Sequence, residues 1–320
     1  MKFSIVIPTY NGAAYIEEAL LSAINQTRKA DAIIVSDDNS TDNTLDICSR
    51  YKDEITIHKN GNGPSGFVEG WNNAIRLVDD GYIAILHQDD LLAPTFLEEA
   101  EKALVLHPDV KHLFTPCNYI DCKGEKLCEL TFCDGSLKRY NGLSYVDSYR
   151  SIRNPHLHRC PGVVTHRSIF DICTYRKEAG HIADDDFFYR VGQYTDVIGI
   201  LKPLASYREH DKSETGHIGN VKLVARLAND YLFQVEQSKY NKCISSDTYN
   251  FFSYWAQKYV FQEFVYAVIN QDEMLLRKSE EHRNKLKYLN VKFELKSRFV
   301  YALPKVLGYY LSCKILKMFI

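Results

Sequence analysis

A surplus of either charge is missing from this chain: 39 lysines and arginines stand against 41 aspartates and glutamates, a net charge of −2 over 320 residues. No global basic field exists to hold a polynucleotide, so nucleic acid is not an expected partner. The opening Met1-Lys2-Phe3-Ser4 runs directly into a short apolar strand, without the apolar core of roughly 7–15 residues and the small-residue cleavage site of a signal peptide. Cytoplasmic residence is the expectation, with the nine cysteines kept as reduced thiols. Paired C-x2-C knuckles are absent too. Cys117, Cys122, Cys128 and Cys133 have four, five and four residues between them, a poor pattern for zinc. They read instead as small apolar side chains on a β-hairpin turning at Lys123-Gly124-Glu125. No apolar run reaches the roughly 20 residues of a spanning helix, which argues against a processive membrane synthase. The segment Pro8-Thr9-Tyr10-Asn11-Gly12 after the first strand has no Lys or Arg, unlike the basic, glycine-rich triphosphate loop of a nucleotidyltransferase. Low-complexity stretches and internal repeats are absent as well.

What is present is the composition of a folded protein, 45% hydrophobic and 25% charged, in a chain long enough for one catalytic domain with an appendage. Lys2 to Pro8 is a β-branched run stopped by proline, followed by a polar loop and an amphipathic stretch from Ala14 to Gln26. The pattern repeats with a strand at 32–36, the loop Asp37 to Thr41 and a helix at 44–51, then a strand at 55–58, a helix at 71–77 and a strand at 82–86 ending in His87-Gln88-Asp89-Asp90. Fully apolar strands alternating with helices predict a doubly wound α/β sheet. Ligands bind outside the carboxyl ends of such strands, so the loops at 8–12, 37–42 and 87–90 should converge. From about 110 to 215 the pattern is mixed, and the acidic run Asp184-Asp185-Asp186 opens a helix expected at 187–193. Beyond Gly219 three amphipathic helices are expected, at 221–236, 249–268 and 272–287. The predicted domains are therefore 1–218 and a helical extension, 219–320.

Taken alone, two adjacent carboxylates at a strand end, Asp89 and Asp90, read more often as helix caps than as cation ligands. The order of motifs decides between these. Ser4-Ile5-Val6-Ile7-Pro8-Thr9-Tyr10-Asn11-Gly12, then Val35-Ser36-Asp37-Asp38-Asn39-Ser40-Thr41-Asp42, then Gly81 through Asp90 resemble, in sequence and separation, the opening strand, the nucleoside loop and the D-x-D strand of the inverting family 2 glycosyltransferases. The resemblance extends over roughly residues 3–215. It implies a GT-A fold, a doubly wound mixed sheet, and transfer of a hexosyl or deoxyhexosyl group from a nucleotide diphosphate donor, UDP or dTDP, with Mg2+ or Mn2+.

Carried over residue by residue, Pro8, Thr9, Tyr10 and Asp38 would line the nucleoside, and Asp89 would be the metal ligand. The usual first Asp of the signature is His87 here, a poorer partner for a hard cation. Gln88 would touch donor sugar or ribose. Asp184 matches the base that takes the acceptor's proton, although Ala183 replaces the usual preceding Glu and leaves Asp185 as an alternative. Acidic residues also favour a helix N-terminus for purely structural reasons. Tyr207-Arg208-Glu209-His210 resembles the segment that covers the diphosphate, with Arg208 pairing with phosphate and His210 ligating the metal or donating to the leaving group. A non-catalytic nucleotide-sugar-binding protein of the same fold is the alternative, hinted at by His87 and Ala183.

Between Arg283 and Ile320 nine basic residues face the single Glu294, interleaved with aromatic and aliphatic side chains. Such a stripe suits a helix lying in an anionic headgroup region, or one packed on a partner. Together with the resemblance it implies peripheral attachment at the inner face of the membrane and a lipid-linked saccharide acceptor, as in surface polysaccharide or O-antigen assembly.

Overall fold

The structure, a computed structural model, describes residues 1–61, 63–128, 130, 133–142, 144–145, 160–211, 213, 221–240 and 244–291. The chain forms two compact units, residues 1–177 with 183–210, and residues 178–182 with the chain from 211 onward.

In the first unit, β1 (Phe3–Thr9), β2 (Ala32–Asp37), β3 (Thr56–Lys59) and β4 (Tyr82–Ile85) lie parallel in the spatial order β3-β2-β1-β4. β1 and β4 are buried on both faces, which is why both read as unbroken apolar runs. The sheet continues through β9 (Val163–His166), β6 (His112–Phe114), β10 (Val197–Ile200) and β8 (Leu137–Tyr140), completing eight strands. β9 runs antiparallel to both β4 and β6, and β8 antiparallel to β10, so the sheet is mixed. A second sheet of three strands joins β5 (Leu91–Leu92), β11 (Ala205–Arg208) and β7 (Cys117–Ile120) in the order β5-β11-β7. This small sheet brings the residues after Leu204 alongside those after Asp90.

The helices are α1 (Ile16–Ile24), α2 (Thr44–Ser49), α3 (Phe67–Arg76), α4 (Phe96–Leu106), α5 (Arg167–Phe170) and α6 (Ala183–Val191). α1 buries Ile16, Ala19, Leu20 and Ala23, the i, i+3, i+4, i+7 stripe of an amphipathic helix. α3 begins four residues earlier than the apolar pattern suggested, directly after Gly66 at φ +88°. The helix expected at 187–193 begins at Ala183, so the acidic triplet forms its first turn rather than preceding it. The turn expected at Lys123-Gly124-Glu125 is present, with Gly124 N donating to Asp121 O at 3.0 Å and Ile120 bridging to Lys126. Cys117 is buried and Cys122 and Cys128 are exposed, all as free thiols.

The sheet has one switch point. From β1 the chain moves to β2 and β3 on one side and returns to place β4 on the other. The β1–β4 pairing ends at Val6–Ile85, while β1 runs on to Thr9 beside β2. The strands part there, leaving a crevice at their carboxyl ends.

The second unit packs α7 (Val221–Tyr240), α8 (Ser246–Ile269) and α9 (Glu273–Tyr288). Ser245 Oγ caps α8 by accepting from Thr248 N at 3.2 Å, and Asp272 caps α9 through Leu275 N at 2.9 Å. Small side chains, Ala225 and Ala267, meet Leu275 and allow the helices to approach closely. Within this unit Asp230 on α7 accepts from His181 N at 2.9 Å. Gly180, at φ +58°, lies so close that a Cβ there would fall 2.3 Å from the Asp230 carboxylate. Among the described residues no helix is long and apolar enough to cross a membrane. The basic stretch expected to lie on a membrane falls, from residue 292 onward, outside the described residues.

Candidate active site

The crevice is built from three loops at strand ends, and short polar side chains lace the first two together. Asn11, held at φ +50°, donates its N–H to Ser40 Oγ at 2.9 Å, and its side-chain oxygen accepts from Thr41 N at 2.8 Å. Gly12 N donates to Thr44 Oγ1 at 2.8 Å, and Asp42 accepts from both Ala13 N and Thr44 N. The Asp37–Asp42 cluster therefore acts as a set of turn and cap acceptors, and one member does something else. Asp37 is fully buried and closes a tight turn onto Asn39 N and Ser40 N. Asp38 points the other way. Its carboxylate accepts from Ser65 N at 2.6 Å and Ser65 Oγ at 2.8 Å, and it borders an open polar cavity of about 340 Å³ lined by His58, Asn60, Asn73 and Arg76.

Gln88 joins the first loop to the third. Its Oε1 accepts from Thr9 Oγ1 at 2.7 Å and Tyr10 N at 2.8 Å, while its Nε2 donates to Tyr10 O at 3.2 Å. The amide expected to face ribose or sugar is thus engaged by the β1 loop. Gly12 is required beneath it, since a Cβ there would lie 2.3 Å from Gln88 Oε1. Tyr10 itself is exposed.

Asp89 and Asp90 diverge. Asp89 keeps one fifth of its side chain exposed and its Oδ2 lies 3.0 Å from His210 Nε2. Burial works against its charge, but the hydrogen bond from His210 and the nearby His87 outweigh that and hold the carboxyl below its ordinary value. Asp90 is buried, accepts from Arg208 N at 2.9 Å and lies 3.5 Å from His87 Nδ1. Burial pushes its pKa up to about 6, and the neighbouring Asp89 adds to this. Asp90 is thus a structural acceptor and Asp89 the outward carboxylate. His87 stacks on Trp71 with ring centroids 5.0 Å apart. Burial disfavours its charge, but Asp90, Asp89 and Asp184 together raise its pKa above the usual imidazole value.

Arg208 does not face solvent. Its guanidinium is fully buried, with Nε donating to Asp89 O at 2.8 Å, Nη1 to Asp121 O at 3.3 Å and Nη2 to Glu18 Oε2 at 2.7 Å. It also lies over the Tyr15 ring, 4.7 Å from the centroid. All three guanidinium nitrogens are thus engaged within the protein.

In the acidic triplet, Asp186 is fully buried between Arg176 and Arg190, whose Nε atoms each lie 2.9 Å from it. Asp184 and Asp185 are half-buried. The charge of Asp184 reaches His87, and after burial it is the next contributor to the raised pKa of the Cys160 thiol, with a similar effect on the Tyr175 phenol. Asp184 is therefore within electrostatic range of His87, Cys160 and Tyr175. Sequence reasoning missed Tyr15, Glu18 and Trp71; only the i, i+3 spacing of Tyr15 and Glu18 at the start of α1 hinted that they share a face.

Among the described residues no group of three or more His, Cys, Asp or Glu side chains could hold a metal. The pair Asp89 and His210 fits a cation that takes few protein donors and completes its shell with phosphate oxygens and water.

Fold and crevice together define a doubly wound α/β domain, open at the switch point between β1 and β4. Residues 4–118 match the family model of glycosyl transferase family 2. This part of the chain is similar to the domain of that family. An uncharacterized glycosyltransferase of Rickettsia typhi is 28% identical over 212 residues, covering 66% of this chain and 65% of that protein. The chain thus spans slightly under two thirds of that relative. The Escherichia coli UDP-Glc:alpha-D-GlcNAc-diphosphoundecaprenol beta-1,3-glucosyltransferase WfaP is 38% identical over 92 residues, 29% of this chain and 37% of WfaP. The crystal structure of Staphylococcus aureus TarS 1–349 in complex with UDP-GlcNAc superposes with a TM-score of 0.66 at 13% identity, covering 99% of this chain and 91% of that one. The fold is accordingly of the GT-A type with helices following the sheet.

Proposed function

We propose that the chain is an inverting, metal-dependent glycosyltransferase that moves a sugar from a UDP or dTDP donor to a saccharide hydroxyl. The observation that carries this reading is the Asp89–His210 pair, 3.0 Å apart just beyond β4, with Asp184 near enough for its charge to act on His87 and Asp38 on the loop after the neighbouring parallel strands. Pro8, Thr9 and Tyr10 would form the floor of the nucleoside site, fixed in place by Gln88. Asp38 would accept from a base N–H or ribose hydroxyl beside Ser65. Asp89 and His210 would hold Mg2+ or Mn2+, which when bound neutralises charge on the departing diphosphate.

Asp184 would accept the proton of the acceptor hydroxyl as its oxygen bonds to the anomeric carbon and the bond to the diphosphate oxygen breaks. One displacement inverts the anomeric centre, and no covalent nucleophile is needed. The acceptor class we favour is a glycan on a lipid diphosphate, as named for WfaP, within surface polysaccharide assembly. The basic, aromatic sequence from Arg283 to Ile320 supports work at the inner face of a membrane.

A screen of nucleotide sugars with Mn2+ and Mg2+, read by released nucleoside diphosphate and by thermal shift, tests the reading. One donor should give cation-dependent release that Asp89→Asn abolishes. If no nucleotide sugar shifts the melting temperature or is turned over, the proposal fails. For the membrane component, deletion of Phe299–Ile320 should release the protein from anionic liposomes at low salt, and equal binding of the two forms would refute it.

A further inference from the structure

We infer that Glu18 and Tyr15, on the first turns of α1, are positioning residues for the Asp89–His210 pair, acting through the buried guanidinium of Arg208. This inference rests on the assignment of that pair as the cation site. Arg208 is an unusual side chain to find fully buried, and a buried charge persists only when paired and fully hydrogen-bonded. Each of its nitrogens has a partner. Nε holds the backbone oxygen of Asp89 itself, Nη1 reaches Asp121 O, and Nη2 is neutralised by Glu18 at 2.7 Å. The Arg208 N–H is fixed on Asp90 at 2.9 Å, so the residue grips both members of the Asp89–Asp90 step.

Tyr15 supplies the second half of the device. Its ring lies between the Arg208 guanidinium, 4.7 Å from the centroid, and the His210 ring, 4.8 Å between centroids. A cation over one face and an imidazole beside it place the phenol ring as a spacer that limits where His210 can turn. His210 in turn reaches Asp89 Oδ2 at 3.0 Å. The chain of contacts is thus Glu18 to Arg208, and Arg208 both directly to the Asp89 backbone and, through Tyr15, to His210. Glu18 is the accessible member, half exposed. Removing a group that orients a metal ligand from behind typically costs roughly 10–100-fold in metal affinity.

The test is direct Mn2+ binding to the full chain in the presence of saturating UDP, followed by the electron paramagnetic resonance signal of free Mn2+. UDP affinity without cation is measured in parallel. Glu18→Ala and Tyr15→Leu should each weaken Mn2+ binding by roughly 10-fold or more, while cation-free UDP affinity stays within about twofold of the wild type. Glu18→Gln, which retains an acceptor oxygen, and Tyr15→Phe, which retains the ring, should recover most of the loss. A role confined to folding would lower the melting temperature without changing Mn2+ affinity. Both sites are partly exposed, so the variants are expected to fold. Unchanged Mn2+ affinity in Glu18→Ala and Tyr15→Leu, with a wild type that binds Mn2+, overturns the inference alone. A wild type that binds UDP but no Mn2+ removes the cation assignment and this inference with it.

Discussion

The substitution Gly12→Ala isolates how the first and third loops are held. The added methyl carbon would sit 2.3 Å from Gln88 Oε1, 2.7 Å from Gln88 Cδ and 3.0 Å from Thr9 Oγ1. To restore ordinary contact the amide oxygen must retreat by roughly 1 Å, which stretches its bonds of 2.7 and 2.8 Å to the limit of a hydrogen bond. The third bond, from Nε2 to Tyr10 O at 3.2 Å, lies on the same amide and moves with it. At about 1 kcal/mol for each net hydrogen bond, the loss is roughly 2–3 kcal/mol. Because the contacts under 3.0 Å are all with Gln88, Gln88→Ala should absorb most of the clash. In that background Gly12→Ala should cost less than about 0.5 kcal/mol, a strongly non-additive cycle. Urea unfolding of the four proteins measures this directly. A loss under about 0.5 kcal/mol in the single variant, or additive losses in the double variant, would refute the argument that Gln88 is rigidly held.

Asp184→Asn should leave nucleotide affinity near that of the wild type and lower transfer by roughly 10² or more; if Asp185→Asn alone produced that phenotype, the base would be the next residue. Asp89→Asn should remove the cation-dependent part of UDP binding, measured calorimetrically with and without Mn2+, and unchanged binding would sink the ligand assignment. Asp186→Ala should destabilise the protein by roughly 3–5 kcal/mol, because Arg176 and Arg190 lose a fully buried counter-charge; a stable variant in urea unfolding would contradict this. His112 is buried against Thr165 at 2.8 Å, and burial lowers its pKa to about 3. The unfolded imidazole takes up its proton near 6.5, so between these values the unfolded chain binds more protons and stability rises with pH. Urea midpoints should therefore fall as the pH is lowered below about 6.5, and His112→Gln should flatten that slope.

The parallel half of the sheet was legible because its strands are buried on both faces and each ends in a polar loop. β1, β2 and β4 lie within a residue or so of their expected bounds, and the three loops converge as the alternation implied. The three-stranded sheet was not legible. β5 has two residues, and its partner β11 lies more than a hundred positions away, so no periodicity marks either. The same separation hid the fate of Arg208. Its partner Glu18 lies 190 positions earlier, so nothing in the local sequence marks the pairing. Asp186 was more accessible to reasoning. Arg190 follows it by four residues within a helix, the spacing at which charges pair, and that marks the third aspartate as structural. The grip of Gln88 on Thr9 and Tyr10 could not be read, because an amide that clamps a backbone has the same sequence signature as one that meets a ligand.

The five residues 178–182 group with the helical unit, although the chain on either side of them belongs to the sheet-bearing one. The two units are therefore interleaved along the chain rather than strung in sequence, and they are joined by three chain crossings instead of one. Asp230 on α7 secures this short excursion at His181 N, over a glycine with no room for a side chain. The next element is α6, which carries Asp184 two residues after the excursion ends. A truncation at residue 210 would thus remove more than an appendage: it would take away the anchorage of the lead-in to α6. Excising residues 1–210 would therefore leave residues 178–182 without the α7 carboxylate that holds them.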